Sequence, residues 1–167
     1  MAKKFSSQRK NRPTKPKREL EEFGGGKKGL VLCPDCKAAY YQKSWHHNIL
    51  NLDAKENMLV NFKLCPADQM IKNGQYEGKL VVKNLPKDVE QDIFNLIRNI
   101  GKMAREKDPM HRLISAVRQG ADLVALTTEN ELAVSMAKKI NHAYKKTKVK
   151  ISFSREPSDV ALAVVEF

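Results

Sequence analysis

No apolar run in this chain approaches the 18 or more consecutive residues that a membrane-spanning helix needs. Cysteine is also scarce, because three residues in 167 are an odd number that does not suit a disulfide framework. The N-terminus has no secretory signal, and no His-Glu-x-x-His motif of a catalytic zinc site occurs. These absences predict a cytoplasmic, non-enzymatic protein that has no contact with a membrane.

Acidic residues are outnumbered by basic ones. The chain has 31 Lys and Arg against 19 Asp and Glu, which gives a net charge of +12 and a pI near 9.7. An excess of this size on 19.0 kDa is typical of a protein that binds nucleic acid. It is unevenly distributed, since residues 1–29 hold ten basic and three acidic residues.

Residues 1–29 are predicted to be a disordered basic arm. Pro13, Pro16 and the three glycines at 24–26 interrupt a segment with too little apolar surface to fold alone. A block of like charge is typical of an arm that lies along phosphates, although a solubilising or targeting extension has the same composition. The candidate RNA-binding residues of the arm are Lys3, Lys4, Arg9, Lys10, Arg12, Lys15, Lys17 and Arg18.

Two Cys-Pro tetrapeptides, separated by 28 residues, contain all the cysteine of the chain. They are Cys33-Pro34-Asp35-Cys36 and Cys65-Pro66-Ala67-Asp68. A Cys-x2-Cys turn lets both thiolates reach one tetrahedral ion, and a second turn of this kind closes the shell in a zinc ribbon. We therefore predict a zinc-ribbon mini-domain over residues 30–73, in which Cys33, Cys36, Cys65 and Asp68 bind Zn²⁺.

The fourth ligand has alternatives. His46 or His47 could supply it instead of Asp68, and a vestigial site would hold no metal. A thioredoxin-like redox pair is disfavoured, because a helix would follow Cys36, whereas Ala39–Tyr41 has the pattern of a strand. The aromatic residues between the two motifs, including Trp45, are expected to cover the metal and to dock on the next domain, with stacking on unpaired bases as the alternative.

Residues 76–167 have the pattern of an α+β domain. The expected elements are a strand at 79–83, a helix with Pro86 in its first turn that stops at 108, strands at 113–117 and 123–127, a helix opened by a capping box at 128–131, and strands at 149–153 and 161–167. The order β-α-β-β-α-β with an extra C-terminal strand predicts a ferredoxin-like antiparallel sheet with both helices on one face.

The RNA-recognition fold shares this topology, but its stacking aromatics are missing. The third strand is Leu123-Val124-Ala125-Leu126-Thr127, without a ring, so readout of bases on the sheet is disfavoured. Basic residues collect instead near the end of the second helix, where we expect a further RNA contact. These candidates are Lys138, Lys139, Lys145 and Lys146.

Several motifs together resemble the N-terminal region of the large ribosomal subunit export adaptor family and its small prokaryotic relatives. They are the two Cys-Pro motifs with an aromatic connector, the segment Asn95–Ile100, the His111-Arg112 strand start and a Thr-Glu helix start, all within residues 30–153. The resemblance implies zinc ribbons joined to a mixed α/β module that binds the subunit-joining face of the large ribosomal subunit. It also implies that the three cysteines bind metal, with Asp68 standing where the family has a cysteine.

The sequence therefore favours a non-enzymatic zinc protein that associates with ribosomal or other structured RNA, possibly on the large ribosomal subunit. The alternative is a zinc-ribbon adaptor that binds a protein partner without touching RNA. An enzyme with an open zinc site is the third and least favoured hypothesis, because no general base accompanies the candidate ligands.

Overall fold

The structure, a computed structural model, describes residues 29–41, 43–47, 59–154 and 160–167. Within these ranges the protein is α+β, with two mixed β-sheets and three helices. The predicted arm, apart from Gly29, and the turn between the last two strands lie outside the described residues.

The first sheet is small and carries the first Cys-Pro motif. Its strands are β1 (Leu30–Leu32), β2 (Ala39–Tyr41), β3 (Ser44–His46) and β4 (Val60–Phe62), in the order β3-β2-β1-β4. β4 is parallel to β1, and Lys63 N donates to Leu32 O over 3.0 Å. Because parallel strands end at the same edge of a sheet, this pairing brings the segments after β1 and after β4 together.

The second Cys-Pro motif opens a helix, α1 (Pro66–Lys72), and not a second β-turn like the first. Cys65 is its N-cap residue. Pro66 occupies the first helical position, where the missing N–H has no partner to lose, and Asp68 lies in the first turn, where a negative charge is favourable. The expectation of two equivalent turns is therefore wrong, although proline after cysteine was itself a helix-start signal.

The second sheet is larger and follows the element order that the sequence predicts. Its strands are β5 (Gly78–Lys83), β6 (Leu113–Gln119), β7 (Asp122–Thr127), β8 (Lys148–Phe153) and β9 (Ala161–Glu166), and its helices are α2 (Glu90–Lys107) and α3 (Asn130–Ala143). We call this sheet with α2 and α3 the C-terminal module, and the small sheet with α1 the N-terminal module.

The strand order of the large sheet is β6-β7-β5-β9-β8. In a ferredoxin-like sheet, the strand after the second helix pairs directly with the first strand of the domain. Here β9 takes that place, parallel to β5, and β8 pairs with the far side of β9. The prediction of an antiparallel, ferredoxin-like sheet with a strand added outside it is therefore wrong.

Composition explains why β9 and not β8 lies beside β5. On the open face β9 carries Leu162 and Val164, opposite Ser152 and Lys150 of β8, and on the core face Ala161, Ala163 and Val165 of β9 are fully buried. A strand with a fully buried face gains most in the interior of a sheet, and exposed lysines suit an edge, where they also discourage pairing with other chains.

Both helices pack on one face of the large sheet, as predicted. The core contains alternate residues of the central strands together with one stripe of each helix. Its fully buried members include Leu80, Val82, Ile93, Ile97, Leu123, Ala125, Met136, Ala137, Ile140, Ala163 and Val165. The opposite face carries Val117, Val124, Val81 and Val164 side by side in register, followed by Lys150 on β8.

Both predicted helix starts need correction. α2 begins at Glu90, after a turn at 87–89, so Pro86 precedes it. α3 has Glu129 at its N-cap with no side-chain capping bond. The expected capping box is absent because the Thr128 hydroxyl donates to Met110 O over 2.6 Å and accepts from Arg112 N over 2.8 Å.

The core assignment predicts a contrast between two helical methionines. Met136 of α3 is fully buried, whereas Met103 of α2 is 52 % exposed. Met136→Ala should lower the free energy of unfolding by about 2–5 kcal/mol, because it removes buried contacts and leaves a cavity. Met103→Ala should change it by less than about 0.5 kcal/mol. Urea unfolding of the two variants measures the difference, and equal losses would contradict this core.

Candidate metal centre

The turn after β1 presents the first two cysteines. Cys33 N donates to Ala38 O over 2.8 Å, and Lys37 N donates to Cys33 O over 3.1 Å. Lys37 has a positive φ of 64°, which lets the chain reverse within the motif. These bonds close the turn so that β2 returns antiparallel to β1 with Cys33 and Cys36 in the bend.

The first turn of α1 presents the other two candidate ligands. Asp68 N donates to the Sγ of Cys65 over 3.4 Å, and Gln69 N donates to Cys65 O over 2.9 Å. The two motifs are also joined directly, since Cys65 N donates to the Sγ of Cys33 over 3.4 Å. The helix thus fixes residues 65 and 68 relative to each other and to the Cys33 turn.

Cys33, Cys36, Cys65 and Asp68 come together in space. One candidate ligand atom from each residue lies within 4.8 Å of the other three. The Sγ atoms of Cys36 and Cys65 are 3.6 Å apart, and Oδ2 of Asp68 is 3.1 Å from the Sγ of Cys33 and of Cys65. Around a tetrahedral ion with Zn–S bonds of about 2.3 Å, sulfur atoms are separated by about 3.8 Å. The four residues therefore form a potential metal-binding site.

Asp68 is anionic although it is only 8 % exposed. Its burial acts to raise the carboxyl pKa. The hydrogen bonds from the cysteine thiols and the positive charge of Arg112 outweigh that effect and lower the pKa to about 2. A carboxylate oxygen is therefore present to act as a ligand at neutral pH.

The pKa values of two of the thiols are shifted in the opposite direction to that of Asp68. Burial raises the pKa of Cys36 and the pKa of Cys65 above their ordinary values, and all three cysteines are free of disulfides. Without a cation the desolvated sulfur atoms keep their protons, whereas a bound divalent metal stabilises the thiolates and releases those protons. Cys36 and Cys65 are thus suited to a metal ion, which would stabilise their thiolates beside the carboxylate of Asp68.

One further residue reaches the cluster, and the sequence did not indicate it. Arg112, which directly precedes β6, is 7 % exposed. Its Nη1 donates to Oδ1 of Asp68 over 2.6 Å, and its Nη2 lies 3.6 Å from the Sγ of Cys65. Arginine is seldom buried, and a single arginine at a strand start gives no sequence signal of this role.

The structure places the alternative ligands elsewhere. His46 and His47 are exposed. Nε2 of His46 is 3.2 Å from Tyr41 O, and Nε2 of His47 contacts Arg105 O. Within the described residues, the cluster of four contains neither histidine.

Trp45 packs beside two of the candidate ligands, a position that is compatible with the covering role expected from the sequence. It is buried among Cys33, Ala38, Cys65 and Ala67, and its ring lies 5.5 Å from that of Tyr40. A buried ring is not available to stack on an unpaired base, so this residue does not support base recognition.

The predicted RNA-binding residues are not part of the metal cluster. Those of the arm lie outside the described residues. The other candidates are all exposed, on α3 or directly after it, and they are Lys138, Lys139, Lys145 and Lys146. Lys148 and Lys150 of β8 are exposed as well.

None of the described helices is long and apolar enough to cross a membrane.

Comparison of the chain with models of known protein families, with curated proteins and with solved structures gives no significant match. The resemblance to the export adaptor family therefore stays a hypothesis that depends on the motifs alone.

The geometry predicts which side chain completes the metal shell. Asp68→Ala should weaken metal binding strongly, since it removes the only carboxylate of the cluster, whereas His46→Ala and His47→Ala should change the affinity by less than about twofold, because both histidines lie outside it. Competition with a chromophoric chelator measures the affinities, with Cys65→Ser as the control that loses binding. A larger loss for either histidine variant than for Asp68→Ala would refute the assignment.

Proposed function

We propose that Cys33, Cys36, Cys65 and Asp68 hold one structural Zn²⁺ ion. The observation that supports this is the convergence of three sulfur donors and one carboxylate oxygen within 4.8 Å. Three soft thiolates in a four-coordinate arrangement favour zinc over Mg²⁺ or Ca²⁺, which prefer six or more oxygen ligands. Four protein ligands also fill a tetrahedral shell, which is the arrangement of structural sites, whereas a catalytic site keeps one position open.

The small size of the N-terminal module supports a structural role for the metal. Among the residues that the structure describes, its buried cluster consists of Cys33, Ala38, Trp45, Cys65 and Ala67. Two of these five residues are candidate metal ligands, and two are alanines with little apolar area. A core of this size stabilises a module poorly, so the free energy of metal binding would supply a large part of its folding free energy.

We further propose that the protein associates with ribosomal or other structured RNA, with the large ribosomal subunit as the first candidate. The support is the distribution of positive charge. In the described chain, six exposed lysines lie within thirteen residues, and none of them forms an ion pair there. They are Lys138, Lys139, Lys145, Lys146, Lys148 and Lys150, which we call the lysine cluster.

The described residues favour contacts with phosphates over contacts with bases. On its open face, β7 carries Asp122, Val124 and Leu126, none of which is aromatic. Trp45 is buried. Lysine side chains that neutralise phosphates release counterions, so binding should depend steeply on salt and little on sequence. The basic arm would add further contacts of the same kind.

A second candidate function is supported by exposed apolar side chains on the N-terminal module. Leu59 is 75 % exposed and Phe62 is 71 % exposed, at the two ends of the edge strand β4. Such side chains on a sheet edge suit a protein partner, which could add a strand there. A zinc-stabilised adaptor would bind its protein partner at this edge, and the lysine cluster would make no contact that binding requires.

The lysine cluster provides the test between the two functions. Replacing Lys138, Lys139, Lys145 and Lys146 by Gln should lower the slope of log affinity against log salt by about three to four units, because each phosphate contact contributes about 0.9. Binding of purified large ribosomal subunits and of a structured RNA hairpin is measured between 50 and 200 mM salt by fluorescence anisotropy.

A matched control replaces four exposed lysines elsewhere in the described chain, Lys83, Lys87, Lys102 and Lys107. It carries the same charge change, so nonspecific charge effects would lower both slopes equally. Equal slopes for the two variants would contradict a role of the lysine cluster. Absence of binding to both probes by the metal-loaded wild type would favour the adaptor.

A further inference from the structure

All four candidate ligands belong to the N-terminal module, yet a charged group of the C-terminal module reaches them. The guanidinium of Arg112 contacts Asp68 and Cys65, and the facing side chains of Arg112 and Asp68 are only 8 % and 11 % exposed. We propose that Arg112 turns the metal centre into the joint between the two modules, so that metal binding fixes their relative position. This inference rests on the proposed binding of zinc.

Hydrogen bonds to Thr128 and Pro109 hold Arg112 in place within the C-terminal part of the chain. Its backbone N donates to Thr128 Oγ1 over 2.8 Å, and its backbone O accepts from Thr128 N over 3.0 Å. Its Nε donates to Pro109 O over 2.8 Å. Thr128 is itself 1 % exposed between β7 and α3. The guanidinium is therefore a fixed part of the C-terminal module and not a mobile surface side chain.

The two carboxylate oxygens of Asp68 face different modules. Oδ2 lies on the sulfur side, 3.1 Å from two of the thiols, whereas Oδ1 accepts from Arg112 over 2.6 Å. A carboxylate can thus bind a metal with one oxygen and accept a hydrogen bond from an arginine with the other, and carboxylate ligands of metal sites are commonly hydrogen-bonded in this way. A thiolate has one atom for both roles and accepts only a longer, weaker hydrogen bond, as the 3.6 Å between Nη2 of Arg112 and the Sγ of Cys65 illustrates. The arginine gives a physical reason for an aspartate at the fourth position, where the first motif has Cys36.

The charge of the metal-loaded ligand shell also supports a link through Arg112. Three thiolates and one carboxylate carry four negative charges, and a zinc ion carries two positive ones, so the loaded shell would be an anion. Arg112 lies beside that anion in a site with little water, where a compensating charge is worth most. Loss of the metal would remove the bond that ties Oδ2 of Asp68 to the first Cys turn. Hydrogen bonds and the pairing of β1 with β4 would then be the remaining links between the two motifs, and Asp68 would be held opposite Arg112 less firmly.

Two further contacts join the modules in the described chain. Met110 packs against the buried cluster of the N-terminal module, and the ring of His47 contacts Arg105 O near the end of α2. The first is an apolar contact by one flexible side chain, and the second involves an exposed histidine. The buried Asp68–Arg112 pair is thus the contact with the most specific geometry.

The test separates metal binding from docking by means of Asp68→Cys. This variant completes a four-thiolate shell and should keep one zinc per chain, but it lacks the oxygen that Arg112 binds. We expect NMR relaxation of the zinc-loaded wild type to give one rotational correlation time for both modules. In zinc-loaded Asp68→Cys the N-terminal module should tumble faster than the C-terminal module.

Arg112→Ala completes the comparison. It should weaken zinc binding by about 10–100-fold in the wild-type background, the usual effect of losing an outer-shell partner, and by less than about twofold in the Asp68→Cys background. Zinc-loaded Arg112→Ala should also give two correlation times, and it provides the docking test if Asp68→Cys does not fold. Arg105→Ala is the matched control, since it removes an exposed cationic side chain but keeps the backbone O that contacts His47, and it should change neither quantity.

The outcomes are distinguishable. A wild-type protein that holds no zinc refutes the proposed metal centre. A wild-type protein that holds zinc, together with a single correlation time in zinc-loaded Asp68→Cys and Arg112→Ala, refutes the joint while leaving the metal centre intact. Equal losses of zinc affinity on Arg112→Ala in both backgrounds would likewise overturn the role of Asp68 as the link.

Discussion

The carboxylate of Asp68 meets the thiols of Cys33 and Cys65 on one side and a buried guanidinium on the other. Each of these groups is costly to bury alone, since burial of an unpaired charge or polar group opposes folding. Together they compensate one another only when the strand pair β1–β4, the helix α1 and the segment before β6 are all in place. The geometry of this cluster therefore links local structure in the small sheet to the position of the large one.

The four residues of the cluster could be identified from the sequence, because Cys-x2-Cys spacing and its partial repeat have a direct physical meaning. Arg112 could not, since its role depends on a contact between residues 44 positions apart. The choice between Asp68 and the histidines also needed coordinates. Proline after Cys65 was a readable signal for α1, but the repeat of the first motif suggested a second turn instead.

Element order in the C-terminal module followed from periodicity and turn residues, whereas sheet order did not. Element order alone does not distinguish a strand that is added outside a sheet from one that is inserted into it. Composition did carry a signal, because β9 is almost continuously apolar, whereas lysines alternate with apolar residues in β8. Thr128 shows the same limit, because its hydroxyl serves the chain before β6 in place of the helix that it precedes.

X-ray absorption at the zinc edge of the purified, zinc-loaded protein tests the central assignment most directly. Three thiolates and one carboxylate predict about three sulfur scatterers near 2.3 Å and one oxygen near 2.0–2.2 Å. The multiple-scattering signature of an imidazole ring, or a shell without sulfur, would contradict a centre built from Cys33, Cys36, Cys65 and Asp68.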